Sequence, residues 1–163
     1  MQGNKESMEE RIQKLLEKRC YVVDFLPERV AEDSKGQFFE VEAYWLEGRR
    51  RMEWKDKFVH VILKLMCYYH VSAAVRKAGF RGILPAWERD WMDGPSPQSI
   101  EKAVSAILED GSGTLYVLLP EEEVLVVLEG DSLHLSVYNP PEKVRSLMER
   151  LASSEGLFWW EGK

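Results

Sequence analysis

The stretch 114–160 places the tightest constraint on the fold, because apolar runs and turn signals follow one another there almost without interruption. Its first part contains two runs of alternating apolar residues and, between them, the run 124–128, which is apolar throughout. Runs of this length and pattern predict strands. Gly130 and Asp131 are residue types that suit a tight two-residue hairpin, since that turn needs positive φ angles. We therefore predict a three-stranded antiparallel meander over 114–137.

A helix is predicted directly after this meander. Asn139 is the expected N-cap, Pro140 suits the first helical position, and Glu142 can reach back toward the cap. Gly156 is the expected left-handed residue beyond the helix, and the aromatic run 157–160 then returns as a strand. Apolar residues at helical spacing should pack this helix on the sheet, namely Val144, Leu147, Met148 and Leu151.

The first half of the chain predicts a similar succession of elements. Ser7 and Glu10 form a capping-box pattern, and Pro27 ends an apolar run rich in β-branched residues. In order, the patterns predict a helix over 8–18, strands over 20–26 and 37–46, a helix over 52–65 and a strand over 68–74. After a long connection, Ser96 and Pro97 begin a further helix that ends at Gly111.

Together these patterns predict one α+β domain over residues 1–163, with an antiparallel or mixed sheet and amphipathic helices on one face. The halves 7–75 and 97–160 show related orders, which can be written as two similar α-β-β-α-β units joined by loop 76–96. A duplication is therefore one hypothesis. The alternative is a compact domain without an internal repeat.

Charge, apolar run length and cysteine content indicate which partners and which compartment to expect. The 22 Lys and Arg residues against 28 Asp and Glu residues give a net charge of −6, so we expect no nucleic-acid partner. No apolar run reaches the length of a membrane helix, so we expect no membrane partner. Cys20 and Cys67 lie in apolar runs without CxxC spacing and are predicted to be buried free thiols in a reducing compartment. With a polar N-terminus, these features predict a cytoplasmic protein.

Three carboxylates could meet if the predicted strands pair. Glu40 and Glu42 share one face of the predicted strand 37–46, and Asp24 lies on a neighbouring strand. Such a group could hold a hard divalent cation and activate water, as in a metal-dependent hydrolase or nuclease. Alternating glutamates are also the ordinary pattern of a solvated sheet face, which is the interpretation we favour. We accordingly predict no metal and no cofactor.

Other groupings of reactive residue types are incomplete. His134 and Ser136 share a strand face with Tyr138, but no acidic orienting residue or Gly-x-Ser-x-Gly turn accompanies them, so a solvated surface is favoured. His60 and His70 have no partners at zinc-ligand spacing. The basic run 49–51 is typical of a solvated turn, with contact to an acidic partner as the alternative.

The connection 76–96 carries Trp87 and Trp91 at i, i+4 spacing among charged residues. One interpretation is a lid whose rings close over the core. The other is an exposed aromatic anchor for a partner, in which Arg81 and Arg89 supply the flanking charge. The candidate binding residues are therefore Trp87, Trp91, Arg89 and Arg81.

Because no catalytic signature is complete, the expected function is non-enzymatic binding of another protein. Two alternatives remain open. One is the hydrolase or nuclease that uses Asp24, Glu40 and Glu42, and the other is a small-ligand sensor with a pocket under the Trp87 and Trp91 loop.

Overall fold

The structure, a computed structural model, describes residues 7–76 and 91–162. The helices are α1 (Met8–Leu16), α2 (Phe38–Trp45), α3 (Arg49–Met66), α4 (Pro97–Asp110) and α5 (Glu142–Ser154). The strands are β1 (Cys20–Asp24), β2 (Ser72–Arg76), β3 (Met92–Asp93), β4 (Thr114–Leu119), β5 (Val124–Glu129), β6 (His134–Tyr138) and β7 (Phe158–Glu161).

In the described part of the chain, seven strands form one sheet in the order β3-β2-β4-β5-β6-β1-β7. Every neighbouring pair is antiparallel, so the predicted α+β class with an antiparallel sheet is confirmed. The N-terminal strand β1 lies between β6 and β7. Strands β6 and β7 therefore run parallel to each other, and α5 connects them across β1.

The two faces of the sheet are covered unequally. Helices α3, α4 and α5 enclose the main core on one face, where Phe58, Val104 and Met148 are fully buried against strand residues such as Leu135. On the opposite face α1 covers a smaller cluster through Ile12 and Leu15, which contact Leu118, Leu125 and Val127. The three longest helices thus share one face of the sheet, as predicted, and α1 lies on the other.

Several local predictions are confirmed. Strands β4, β5 and β6 form the predicted meander. Ser7 is the N-cap of α1, because its hydroxyl accepts a hydrogen bond from Glu10 N at 3.1 Å. Ser96 caps α4 in the same way. Gly111 and Gly156 follow α4 and α5 with φ angles of 64° and 72°, so both occupy the left-handed conformation that glycine adopts without strain.

The turn between β5 and β6 differs from the predicted two-residue hairpin. Residues 130–133 separate the two strands, and the φ angle of Gly130 is not positive. The glycine is needed for space instead, because a Cβ atom there would lie 2.2 Å from the Ile107 carbonyl oxygen and 2.7 Å from the Ser112 carbonyl oxygen. Residue 130 must be glycine to let the turn approach the end of α4.

The predicted N-cap of α5 was also wrong, because Pro141 occupies that position. Asn139 has a φ angle of 63°, which asparagine tolerates better than most residues, and its side-chain amide donates to the Glu123 carbonyl oxygen at 2.8 Å. It therefore ties the end of β6 to the turn before β5.

The predicted strand over 37–46 is wrong, because these residues form α2 and the connection after it. The edges of β1 are already occupied by β6 and β7, so no partner edge is available beside it. As a helix, the segment turns Phe38, Glu42 and Trp45 to one face at i, i+4 and i+7. The element orders of the two halves therefore differ at this point, and the duplication hypothesis remains a prediction.

Two further predictions need adjustment. The strand predicted over 68–74 is present as β2 but begins at Ser72, because α3 continues to Met66. Cys67 follows that helix as its C-cap and is exposed, whereas Cys20 is half-buried, so neither thiol is fully buried as predicted. Both cysteines are free thiols. A membrane crossing would need a long helix that is apolar along its length, and none of the helices in residues 7–76 and 91–162 qualifies.

Replacing Leu147 by Ala should lower the free energy of unfolding by about 2–5 kcal/mol, because the side chain is only 7% exposed within the main core. Urea denaturation measures this change. Glu149→Ala, on the exposed side of the same helix, serves as the control and should change stability little. A loss no larger for Leu147→Ala than for the control would contradict the packing of α5 described above.

Candidate functional site

Asp24, Glu40 and Glu42, the carboxylates of the less favoured metal interpretation, are not brought together on one sheet face. Glu40 lies on α2 at the surface, where it accepts a hydrogen bond from the Gln37 side-chain amide at 2.8 Å. Glu42 is half-buried on the inner side of α2 and interacts electrostatically with Asp24 and Asp131. Among the residues that the structure describes, no three His, Cys, Asp or Glu side chains are placed to share a metal ion.

Asp24 and Glu42 are both partly removed from water. Burial raises the pKa of Asp24, and the hydrogen bond that its carboxylate accepts from Phe25 N at 2.8 Å partly offsets this effect. Burial also raises the pKa of Glu42, and repulsion from Asp131 and Asp24 adds to it. These carboxylates therefore hold their protons more tightly than solvated ones would.

Beside α1, part of the second face of the sheet remains open. The register of β1 with its neighbours places Tyr138 opposite Cys20, His134 opposite Asp24, and Trp160 opposite Val22. These side chains point away from the main core, since paired residues across a ladder share a face. The sheet therefore presents a row of polar and aromatic side chains here.

An open cavity of about 790 Å³ lies over this row, and we call it the sheet-face cleft. Its walls are the end of α1 with the residues that follow, 16–19, and Arg29 from the segment between β1 and α2. Its floor consists of Cys20, Val22, His134, Tyr138 and Trp160, with Gly162 at one edge.

The titratable groups on the floor of the cleft are held in their uncharged forms at neutral pH. Burial raises the pKa of the Cys20 thiol above its ordinary value of 9.0, and hydrogen bonds with Tyr138 and Ser136 partly offset this. Burial, followed by the interaction with Cys20, raises the pKa of Tyr138 to about 12. Burial lowers the pKa of His134 below its ordinary value of 6.5, and the charges of Asp24 and Asp131 act in the opposite direction.

This arrangement does not suit nucleophilic catalysis. His134 and Ser136 are two positions apart on one strand, which separates their Cα atoms by about 6.7 Å. The Ser136 hydroxyl interacts instead with the Cys20 thiol. A raised pKa also leaves Cys20 a poor nucleophile. What the cleft offers is neutral hydrogen-bonding groups on a rigid, partly aromatic floor.

A second candidate is the exposed side of α2 and the adjoining start of α3. Phe39 is 80% exposed and Tyr44 is 54% exposed, and Val41 of α2 and Met52 of α3 are also exposed. We call these four residues the α2 surface. The opposite side of the helix is anchored, because Trp45 packs against Phe25 with ring centroids 5.1 Å apart.

The α2 surface borders a concentration of positive charge. Helix α3 begins with Arg49, Arg50 and Arg51, has no acidic residue in its first turn, and has no side-chain cap at Gly48. The Arg50 guanidinium lies 3.8 Å from the centre of the Tyr44 ring and donates to the Tyr44 carbonyl oxygen at 2.6 Å. The positive end of the helix dipole adds to these charges.

Of the four predicted binding residues in loop 76–96, Trp91 is the one that the structure describes. Its ring is half-buried and packs on the small cluster under α1. Trp87, Arg81 and Arg89 lie outside the described residues, so their role as a partner anchor stays a prediction, as does a ligand pocket under that loop.

The remaining histidines form hydrogen-bonded contacts with carboxylates on other elements of structure. His60 Nδ1 lies 2.9 Å from Glu155 Oε1, at the end of α5. His70 Nε2 and Ser72 Oγ both contact Asp93 Oδ1, at 2.6 and 2.9 Å, and His70 is the main reason that the pKa of Asp93 is lowered. The Ser72 hydroxyl thus faces a carboxylate rather than an imidazole, so the group holds β3 to β2 and does not form a catalytic triad.

Comparisons with known proteins give no relative: no family model, no curated protein and no solved structure matches this chain. The sheet-face cleft and the α2 surface are therefore the features of this protein that bear on its function.

Titration with Mg²⁺, Mn²⁺ or Ca²⁺ should leave the melting temperature nearly unchanged, because Glu40 is turned away from Asp24 and Glu42. A cation bound at 100 times its dissociation constant would instead add about 2.7 kcal/mol of stability. Differential scanning fluorimetry detects such a change. A shift that disappears in Asp24→Asn would contradict this expectation and support a cation site.

Replacing His134 by Gln should change how stability depends on pH. Because the pKa of His134 is lowered in the folded protein, this histidine takes up a proton near pH 6.5 in the unfolded chain but only at lower pH in the folded chain. Wild-type stability should therefore fall relative to His134→Gln as the pH drops from about 8 to about 5.5. Urea denaturation across this range measures the difference, and parallel pH profiles for the two proteins would show that His134 is not perturbed.

Proposed function

We propose that this protein is a non-enzymatic binding module and that a segment of another protein docks on the α2 surface. The observation that carries the proposal is that α2, an eight-residue helix rich in aromatic residues, buries none of its residues fully. Several large apolar side chains exposed on one short helix are unfavourable in water, and exposed apolar residues of this kind are typical of surfaces that a partner covers.

The α2 surface is also held in place, which favours binding. Phe38 and Trp45 project from the inner side of α2, and both contact Phe25 at the end of β1. Trp45 packs in addition against Trp54 of α3, with ring centroids 5.3 Å apart. A partner would therefore meet Phe39 and its neighbours on an already ordered helix and would lose less conformational entropy on binding.

The charge beside the α2 surface indicates the chemistry of the partner segment. Arg49 is exposed at the first position of α3, and the Arg50 guanidinium is stacked on Tyr44. A carboxylate on the partner would be attracted to these groups and to the positive end of α3. We therefore propose a segment with two or more large apolar side chains and at least one nearby Asp or Glu.

The alternatives have less support. A hydrolase or nuclease built on Asp24, Glu40 and Glu42 would need Glu40 to turn away from Gln37 and join the other two carboxylates. A sensor pocket under the Trp87 and Trp91 loop involves residues outside the described part of the chain. A cytoplasmic location is part of our proposal, and two free thiols, one of them exposed, are compatible with a reducing compartment.

Selection of peptides from a random displayed library against the purified protein tests the proposal. Enriched peptides should combine large apolar residues with Asp or Glu, and Phe39→Ser should weaken their binding by about tenfold or more, as measured by fluorescence anisotropy. Because Phe39 is 80% exposed, the variant should keep the wild-type melting temperature. The matched control is Tyr68→Ser, which removes another exposed aromatic ring at the far end of α3.

Peptides that bind Phe39→Ser as well as wild type, or that are rich in Lys and Arg, would contradict the proposal. Sedimentation of the unliganded protein tests whether a second copy of this chain occupies the α2 surface instead. A wild-type dimer that Phe39→Ser converts to a monomer would assign the α2 surface to a second copy of this chain and would overturn the proposed partner.

A further inference from the structure

The sheet-face cleft has the form of a small-molecule site. No residue of the α2 surface is among its described lining residues, although Phe39 lines a neighbouring cavity that shares Arg29, His134 and Trp160 with the cleft. Its volume of about 790 Å³ falls within the range of about 300–1,000 Å³ that is usual for such sites. Its floor is built on the adjacent strands β6, β1 and β7, which hold their side chains in fixed positions. A ligand would therefore meet a site that is already formed.

The centre of the floor is apolar and flat. Val22 and Trp160 lie opposite each other across β1 and β7. The orientation of the indole ring is fixed, because Trp160 Nε1 donates a hydrogen bond to the Leu26 carbonyl oxygen at 3.0 Å. A planar ring laid on this floor would gain both apolar burial and stacking.

The polar groups of the floor are neutral donors. Tyr138 and Cys20 hold their protons at neutral pH because burial raises the pKa of each, and the His134 imidazole is uncharged and carries one N–H. The His134 imidazole can donate a hydrogen bond to a ligand oxygen. The Cys20 thiol donates to the Tyr21 carbonyl oxygen at 3.5 Å and interacts with Tyr138, and none of the three groups brings a negative charge into the cleft.

The rim carries the opposite charge from the protein as a whole. Lys18, Arg19 and Arg29 border the cleft, and among the described residues Glu17 is the one acidic residue of its lining, whereas the whole chain has a net charge of −6. Arg19 and Arg29 form exposed ion pairs with Glu161 and Glu32, at 3.2 and 4.0 Å. Exposed pairs of this kind are weak, so an anion could exchange with them at small cost.

We propose that the sheet-face cleft binds a small organic anion with a flat apolar body, such as an aromatic carboxylate. The ring lies on Trp160 and Val22, and the carboxylate lies at the rim beside Arg29. In the opposite orientation the carboxylate would lie at the His134 end of the floor. That orientation is unfavourable, because Asp24 and Asp131 interact with His134 and would repel an anion there.

The thiol of Cys20 provides a site-specific test, since it lies on the floor of the cleft. In Cys67→Ser the chain has no other cysteine. The probes are 2-naphthoate and 2-naphthylmethylammonium, which carry the same ring and opposite charges. At roughly ten times its dissociation constant, 2-naphthoate should slow the alkylation of Cys20 by iodoacetamide about tenfold, and the ammonium compound should not.

A pair of matched variants tests the charge assignment. Arg29→Gln should raise the concentration of 2-naphthoate needed for half protection by about fivefold or more. Arg150→Gln makes the same change of charge on α5, which packs on the other face of the sheet, and should leave that concentration unchanged. In Cys20→Ser, 2-naphthoate should not alter the alkylation of the exposed Cys67.

Several outcomes would overturn the proposal: no protection of Cys20 up to about 10 mM 2-naphthoate, equal protection by both probes, or equal weakening by Arg29→Gln and Arg150→Gln. Tyr44→Ser changes the α2 surface at a residue that lines neither the cleft nor the cavity beside it, and it should bind 2-naphthoate like wild type. The failure of one proposal is therefore distinguishable from the failure of the other.

Discussion

The pairing of β1 between β6 and β7 is the interaction on which the rest of this structure depends. It joins the N-terminal part of the chain to its C-terminal end through two antiparallel ladders. Its register sets Val23 beside Leu135 in the main core and turns Asp24 and Cys20 to the opposite face. A shift of one residue would exchange these faces and place a carboxylate in the core, which gives the register a strong energetic preference.

The sheet-face cleft follows from unequal coverage of the sheet. The main core is enclosed by three helices, whereas on the second face the described residues that cover β4 and β5 are the nine-residue α1 and Trp91. Beyond the edge of the α1 cluster, where Tyr138 of β6 packs, Leu16 at the end of α1 borders the cleft. The side chains there are half-buried rather than packed, which explains why the pKa values of Tyr138, Cys20 and His134 are shifted by burial although a cavity remains above them.

The segment between β1 and α2 connects the two candidate sites. Leu26 is held by Trp160, and Arg29 forms a wall of the cleft. Phe25 at the start of the segment and Phe38 at its end pack on each other with ring centroids 6.2 Å apart, which anchors α2. The conformation that closes one side of the cleft is therefore also the one that presents Phe39 to solvent.

The sequence by itself determined the elements whose signals are local. The caps at Ser7 and Ser96, the meander and the apolar stripe of α5 all depend on residues a few positions apart, and each is present as predicted. Tertiary structure decided the remainder. Residues 37–46 fit a strand by alternation and a helix by spacing, and in the structure they form α2, which packs Phe38 and Trp45 against Phe25. The meeting of His134, Asp24 and Trp160 has no local signal, because it depends on which strand edges pair across the length of the chain.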